Sequence, residues 1–425
     1  MNVMLLNPNR YHIPPVPPIG LEYLMTPLLQ NGHTVFITDL CFSTDVYQDV
    51  QNAIKEHKPN LIGITIRNID TSQYPHTEFF LEEIKQIIAF IKRYYELPVV
   101  IGGAGYSALP ENVLRFLQAD YGISGPGEGA LPALVNKLEQ GAFSPPLING
   151  WNFPVNPELF HKRGIGLDYK KYRENSGSAG FETQKGCTAS CIYCLEANRP
   201  HLKRSLYPII AEIRSLRESG NDNFHLCDSE FNIDLSYSTT FCEALISEAV
   251  SIRWSLYMKP EPVSEKIFTL LKTSGADLIT LTVNSYELPL PGYRNSVAQC
   301  IDCARKNGLT LVVDLLMGFP FESVDALRST IDFFRIHRPN SVGVNYSIRI
   351  IPNTPLYNYF MKNHDKRSSL IAVHKGDNEF LYPVLYQHSN SSQIPDWISN
   401  DSLFRIEGTE GGTNYQRFQK NLPTD

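Results

Sequence analysis

Three cysteines, Cys187, Cys191 and Cys194, stand together in the run Gly186-Cys187-Thr188-Ala189-Ser190-Cys191-Ile192-Tyr193-Cys194. Three thiolates offer a four-iron cluster one ligand too few, and the iron left open can bind a reactant. The same thiols could instead hold zinc, with His201 as a fourth ligand, pair as disulfides or pack as plain buried thiols. Their spacing differs from the paired Cys-x2-Cys knuckles that dominate zinc sites, which favours the cluster.

A second group with chemical potential is Cys227-Asp228-Ser229-Glu230-Phe231-Asn232, a thiol and two carboxylates at the end of an apolar run. Asp228 or Ser229 could equally cap a following helix. The Cys227 thiol could bind a soft substrate or meet a radical, against the alternative of an inert buried cysteine. Cys300 and Cys303 fall in a helical stretch ending at Asn307-Gly308, where core packing explains them. A third group is glycine: Gly102-Gly103-Ala104-Gly105 and Gly125-Pro126-Gly127-Glu128-Gly129. Glycines at strand ends let a ligand approach the backbone, or simply allow tight turns.

The elements that would position these groups follow from periodicity. Short β-branched runs at Val3 to Leu6, Thr34 to Thr38, Leu61 to Ile66, Pro98 to Ile101 and Tyr121 to Ser124 alternate with helical patterns, as in a doubly wound parallel sheet. Phe80, Ile84, Ile87, Ile88 and Ile91 mark one helix face, with Thr77 as its expected cap. Both glycine clusters then fall at the C-terminal strand edge, the ligand edge of open α/β sheets. The polar turn Arg67-Asn68-Ile69-Asp70 falls there too.

From residue 178 the pattern repeats strand then helix, with strands at Phe181 to Gln184, Phe224 to Cys227, Arg253 to Met258, Leu278 to Val283, Thr310 to Leu316 and Ser341 to Ile348. Six such units predict a partial (β/α)6 barrel, with chemistry at the C-terminal strand ends. The expected domains are an N-terminal Rossmann-like sheet over residues 1–145, a linker over 146–177, the barrel over 178–365, and an extension over 366–425. The extension would be a lid offering Tyr382, Tyr386 or His388, or a loose tail.

A chain of 425 residues suits two domains and an appendage. A net charge of −6 without basic blocks makes no case for nucleic acid or an anionic membrane. No apolar run approaches the roughly 18 residues of a membrane span. The N-terminus has no basic leader, so it predicts a first strand and a cytoplasmic protein, in which the scattered thiols stay reduced.

Tyr193 just before the third cysteine gives the loop the look of the radical S-adenosylmethionine (SAM) enzymes, in which this aromatic lies near the adenine. The resemblance implies a [4Fe-4S] cluster on Cys187, Cys191 and Cys194, and SAM chelating the open iron. Asp228 and Glu230 then match the side chains that take the SAM ammonium hydrogens. Asn284, in Thr282-Val283-Asn284-Ser285, stands where relatives carry a glutamate toward the ribose. Met317-Gly318-Phe319-Pro320-Phe321-Glu322 and Arg349-Ile350-Ile351-Pro352-Asn353-Thr354-Pro355-Leu356 resemble the loops after the fifth and sixth strands.

The first 145 residues resemble the cobalamin-binding domain of many radical SAM proteins, through Pro17-Pro18-x-Gly20-Leu21-x-Tyr23-Leu24, Asn31-Gly32-His33, Gly102-Gly103 and Gly127-Glu128-Gly129. Gly102, Gly103 and Gly127 are the residues this places against a cobalamin. No Asp-x-His-x-x-Gly marks a histidine to ligate cobalt, so the resemblance leaves cobalamin itself open. The implied activity is alkyl transfer, chiefly of methyl, to a small molecule of specialised metabolism, with an electron donor such as flavodoxin or ferredoxin. A second reading is transfer of the 3-amino-3-carboxypropyl group of SAM to arsenite, as proposed for arsinothricin biosynthesis, with Cys227 as the arsenic ligand. A reading of another class is a non-catalytic cobalamin or iron–sulfur sensor.

Overall fold

The computed structural model describes residues 1–373 and 380–409. The chain divides into two compact units: residues 1–71, 79–180 and 207–221 form one, and residues 72–78, 181–206 and 222–425 the other.

The first unit is built on strands β1 (Asn2–Asn7), β2 (Thr34–Asp39), β3 (Leu61–Thr65), β4 (Val99–Gly102), β5 (Tyr121–Ser124) and β6 (Leu147–Asn149). They lie in the order β2-β1-β3-β4-β5-β6, with every pairing parallel. Parallel strands covered on both faces carry continuous apolar runs. Val3, Met4, Leu5 and Leu6 are accordingly fully buried. Leu21, Met25 and Leu28 of the helix Ile19–Gln30 and Leu131, Leu134 and Val135 of the helix Ala130–Glu139 share one core with this sheet. The chain order reverses between β1 and β3, the switch point at which such sheets take ligands. The helix Leu81–Tyr95 buries Ile84, Ile87, Ile88 and Ile91 as expected, but its N-cap is Phe80. The Thr77 hydroxyl is turned onto the Gln73 carbonyl and caps nothing. β6 lies in the stretch expected to be a linker, where three residues are too few for a periodic signal.

The strands that follow are β7 (Ala179–Phe181), the hairpin pair β8 (Gln184–Lys185) and β9 (Leu202–Lys203), then β10 (Asn223–Leu226), β11 (Arg253–Met258), β12 (Ala276–Asn284), β13 (Thr310–Leu316) and β14 (Ser341–Asn345). β15 (Ser347–Arg349), β16 (Leu370–Ala372), β17 (Val384–Gln387) and β18 (Phe404–Ile406) follow. The barrel sheet runs β18-β14-β13-β12-β11-β10-β7. It contains five of the expected strands, a first strand shifted to Ala179–Phe181 so that it shares only Phe181 with the expected run, and one more, because β18 pairs in parallel with β14. The last strand expected, Ser341 to Ile348, is two: Asn345 Oδ1 accepts the Ser347 N–H at 3.0 Å and turns the chain out of the sheet. β15 then joins β17 and β16 in a small antiparallel sheet. Part of the stretch expected to be a lid is therefore structural. Tyr386 is buried against Phe360 at 4.9 Å between ring centres, and buried His388 bonds the Glu322 carbonyl at 3.1 Å.

Candidate active site

The cysteine loop hangs from the β8–β9 ladder, in which Gln184 faces Lys203 and Lys185 faces Leu202. Inside it, Arg199 N–H donates to the Cys187 carbonyl at 2.8 Å and Asn198 N–H to the Ala189 carbonyl at 2.9 Å, so the loop is closed on itself. All three cysteines are free thiols, as are Cys300 and Cys303, which are buried in their helix. Burial pushes the Cys194 thiol up to about 11, with further pressure from neighbouring thiols, and raises Cys187 as well. Such thiols ionise readily only when a cation binds them.

Among the described residues no three His, Cys, Asp or Glu side chains converge on one point. His201, the fourth ligand that zinc would need, bonds Gln184 Oε1 through Nε2 at 2.6 Å. Three reduced thiols on one closed loop, with a protein cation beside them, fit the donor set of a three-cysteine iron–sulfur cluster. That cation is Lys259, the residue after β11, whose Nζ lies 3.1 Å from Cys191 Sγ. Burial works against its charge, but Glu230 and Cys191 outweigh burial and raise its pKa.

The two carboxylates after β10 have different duties. Asp228 is buried, and Oδ1 accepts from Thr183 N–H at 2.8 Å and Gln184 N–H at 3.2 Å, while Oδ2 takes the Thr183 hydroxyl. Both its oxygens are engaged by the strand entering the cysteine loop, so Asp228 steadies that strand and keeps one acceptor site on Oδ2. Neither Asp228 nor Ser229 caps the next helix, since Asp234 does so through Tyr237 N–H. Glu230 accepts the Thr282 hydroxyl on Oε1 at 2.7 Å, but its buried Oε2 has no partner. Burial pushes both carboxyls up to about 7, against hydrogen bonds from Thr183 and Gln184 to Asp228, and against Lys259 and Thr282 at Glu230. An open, buried carboxylate oxygen fits an incoming ammonium group, which SAM carries.

Asn284 is buried at the end of β12, with Oδ1 accepting from Tyr193 OH at 2.9 Å and Nδ2 donating to Glu287 Oε2 at 2.6 Å. Tyr193 and Asn284 are thus brought together, and Asn284 is committed to protein partners. The carboxylate that Asn284 lacks reappears on Glu287. Glu322 gathers Ser285 Oγ, Gly318 N–H and Phe319 N–H on Oε2 at 2.7, 2.9 and 2.7 Å, and leaves buried Oε1 without a partner. Lys259, Glu287 and the free oxygen of Glu322 escaped sequence reasoning. Lys259 has only its place directly after a barrel strand as a signal, Glu287 lies three residues past one, and Glu322 belongs to the loop motif noted after the fifth strand. Cys227 is exposed, with Sγ 3.6 Å from the His225 carbonyl, and is not the buried thiol of the bland alternative.

In the first unit, Gly103 follows β4 at φ 101°, where a Cβ would fall 2.6 Å from the Ile66 carbonyl oxygen. A Cβ on Gly127 would meet Leu24 Cδ2 at 2.9 Å, and one on Gly102 the Ile123 carbonyl oxygen at 3.5 Å. Backbone packing within this unit accounts for Gly103, a leucine side chain crowds Gly127, and Gly102 has room for a Cβ. In the Arg67 to Asp70 turn, Asp70 is buried and bridged to Phe79. The cobalamin fit therefore rests on the sheet topology and its switch point.

Residues 14–135 match the family model described as B12 binding domain. The tryptophan 2-C-methyltransferase of Streptomyces laurentii is 23% identical over 82% of this chain and 73% of that protein. An uncharacterized methyltransferase of Pyrococcus horikoshii is 24% identical over 89% of this chain and 85% of its own. The radical SAM methyltransferase TsrM from Kitasatospora setae, solved with cobalamin and a [4Fe-4S] cluster, superposes with a TM-score of 0.83 at 23% identity, covering 91% of this chain and 88% of that one. This chain has the fold of a cobalamin-dependent radical SAM enzyme. The cobalamin-dependent radical SAM enzyme OxsB shares it at a TM-score of 0.72 and 15% identity, over 91% of this chain and 64% of that longer one. In this radical SAM fold the doubly wound sheet and the barrel take the chain order expected from sequence. No helix among the described residues is long and apolar enough to cross a membrane.

Proposed function

We propose that this protein is a radical SAM transferase that moves an alkyl group, first of all methyl, to a small molecule of specialised metabolism. Cys187, Cys191 and Cys194 hold the cluster, and cobalamin is assigned to the C-terminal strand edge of the first sheet, which carries the β1/β3 switch point and, after β4 and β5, Gly102, Gly103 and Gly127. When bound, the cluster supplies single electrons for breaking a carbon–sulfur bond of SAM, and cobalamin supplies a methyl carrier. The observation that carries the reading is the unpartnered, buried Glu230 Oε2 at the end of a barrel strand, in the same unit as the loop of three thiols. Glu230 accepts the SAM ammonium there, held in place by Thr282.

The remaining residues orient and dry the site. Asp228 fixes the strand leading into the cysteine loop. Tyr193 and Asn284 hold one another, leaving the Tyr193 ring to face the adenine. Phe319, Ile348, Ile350 and Tyr386 are buried, and Tyr193 and Tyr286 pack against them, which keeps water from a reactive carbon centre. The partners are a small-molecule substrate and a low-potential electron donor such as flavodoxin or ferredoxin, in a reducing cytoplasm.

A second reading is 3-amino-3-carboxypropyl transfer to arsenite, favoured by the exposed thiol of Cys227. A sensor has no use for an open carboxylate oxygen at a barrel strand end. Anaerobically reconstituted protein with SAM, reductant and methylcobalamin tests all three. S-adenosylhomocysteine with 5′-deoxyadenosine supports methyl transfer. Methylthioadenosine that rises with arsenite selects the second reading, and absence of all three products sinks the enzyme.

A further inference from the structure

Lys259 stands directly after β11, at the end of a strand in the middle of the barrel sheet, beside two groups of the candidate site. Its Nζ donates to Cys191 Sγ at 3.1 Å, and its charge also acts on the Glu230 carboxyl. Its backbone is anchored: Lys259 N–H donates to Asn232 Oδ1 at 2.9 Å, while Asn232 Nδ2 donates to the carbonyls of Lys259 at 2.8 Å and Pro262 at 2.6 Å. Asn232 is itself completely buried. These bonds fix the backbone from which the side chain reaches out, and the contact with Cys191 Sγ places the ammonium.

We propose that Lys259 is a positioning residue that sets the reduction potential of the cluster through the Cys191 sulfur, and that Glu230 opposes it. Hydrogen bonds and positive charge at cluster sulfurs favour the more negative, reduced state. The step is a one-electron change: the cluster core goes from 2+ to 1+ with an electron from a low-potential donor, and no proton or bond is exchanged. The Lys259 ammonium lowers the cost of that added charge, whereas an unneutralised Glu230 carboxylate raises it. SAM binding bears on the same balance. When the SAM ammonium occupies Glu230 Oε2, the opposing charge is neutralised, so SAM raises the potential at the moment an electron is needed. This inference rests on the cluster assignment made above.

The test is an anaerobic redox titration of the reconstituted full chain, followed by the electron paramagnetic resonance signal of the reduced cluster. Wild type is compared with Lys259→Met, Lys259→Arg and Glu230→Gln. Lys259→Met is expected to lower the ratio of reduced to oxidised cluster about tenfold at a fixed ambient potential, which is 59 mV for a one-electron couple. Lys259→Arg keeps the charge and stays near wild type, while Glu230→Gln shifts the ratio the other way. A Lys259→Met midpoint equal to wild type, at equal iron content, overturns the proposal. Should Lys259→Met fail to keep its iron, Lys259→Gln and the sign of the Glu230→Gln shift decide instead: both unmoved, or both moved downward, overturn it. A wild type that takes up iron without any reducible cluster signal would refute the cluster reading itself, a separate outcome.

Discussion

The two parallel sheets end their strands in opposite ways. After β4 and β5 of the first, the chain places glycines whose absent side chains would run into protein: Gly103 against Ile66, Gly127 against Leu24. After β10, β11 and β13 of the second it places Glu230, Lys259 and Glu322, and both glutamates keep one buried oxygen without a partner. The first edge is made of backbone brought close; the second is made of charges held ready. A ligand at the first edge is accepted by shape, which burial and dispersion govern. One at the second is accepted by satisfying charged groups whose desolvation has already been met in folding. Substitutions should therefore act on stability at the first edge and on ligand affinity or iron content at the second.

The largest effect expected is at the thiols. Alanine at Cys187, Cys191 or Cys194 should take reconstituted iron from about four atoms per chain to near none, with loss of the cluster absorbance. Iron retained in full by any one of these variants would break the assignment of that cysteine. Next, Glu230→Gln removes a charge-assisted hydrogen bond worth about 1.5–3 kcal/mol, so SAM should bind about ten- to a hundredfold more weakly by calorimetry. The melting temperature should change little. The reverse pattern, weaker folding and unchanged affinity, would make Glu230 a packing residue like the glycines.

Gly103→Ala tests the other side of the comparison. Its φ of 101° and the 2.6 Å approach to Ile66 make any side chain strained there, with an expected loss of about 1–3 kcal/mol in stability. Gly20 is the control. A Cβ there meets nothing within 4 Å, and the residue sits in the helix Ile19–Gln30, so Gly20→Ala should stabilise by about 0.5–1 kcal/mol. Chemical denaturation of both variants gives the contrast. If Gly103→Ala folds as well as wild type yet loses cobalamin absorbance, the first edge holds its glycines for the ligand after all.

Much of the scaffold was legible because buried parallel strands are unbroken apolar runs. Tyr121–Ser124, Arg253–Met258 and Thr310–Leu316 have the ends expected from sequence. What escaped was short or conditional. β6 and β18 are three residues each, and a strand of that length is made by its neighbours rather than by its own pattern. The break after β14 turns on one side-chain hydrogen bond from Asn345. At the site, clustered thiols carry a spacing that can be recognised, and so does a tyrosine placed before the last of them. A lone lysine after a strand carries none, and only the fold brings Lys259 within reach of Cys191. Asp228 and Glu230 look equivalent in sequence because they differ solely in what the neighbouring chain does with their oxygens.

That difference yields the smallest and most discriminating expectation. Asp228→Asn keeps the shape of the side chain, one carbonyl oxygen for Thr183 N–H and Gln184 N–H, and an amide that can donate to the Thr183 hydroxyl. SAM affinity should then stay within about twofold of wild type, a difference below about 0.5 kcal/mol. The signature is in pH. Burial raises the folded Asp228 carboxyl to about 7, above its ordinary value of 3.8, so the folded state holds this proton more tightly than the unfolded one. Its contribution to stability is complete below the unfolded value and is lost as pH rises through about 7. Glu230 titrates in the same window and the same direction, so wild type should melt at a lower temperature at pH 8 than at pH 5.5, and Asp228→Asn should show a smaller drop. An equal drop in both proteins would mean that Asp228 is already ionised at the lower pH, held so by Thr183 and Gln184. A large loss of SAM affinity would instead return Asp228 to the ligand and erase its distinction from Glu230.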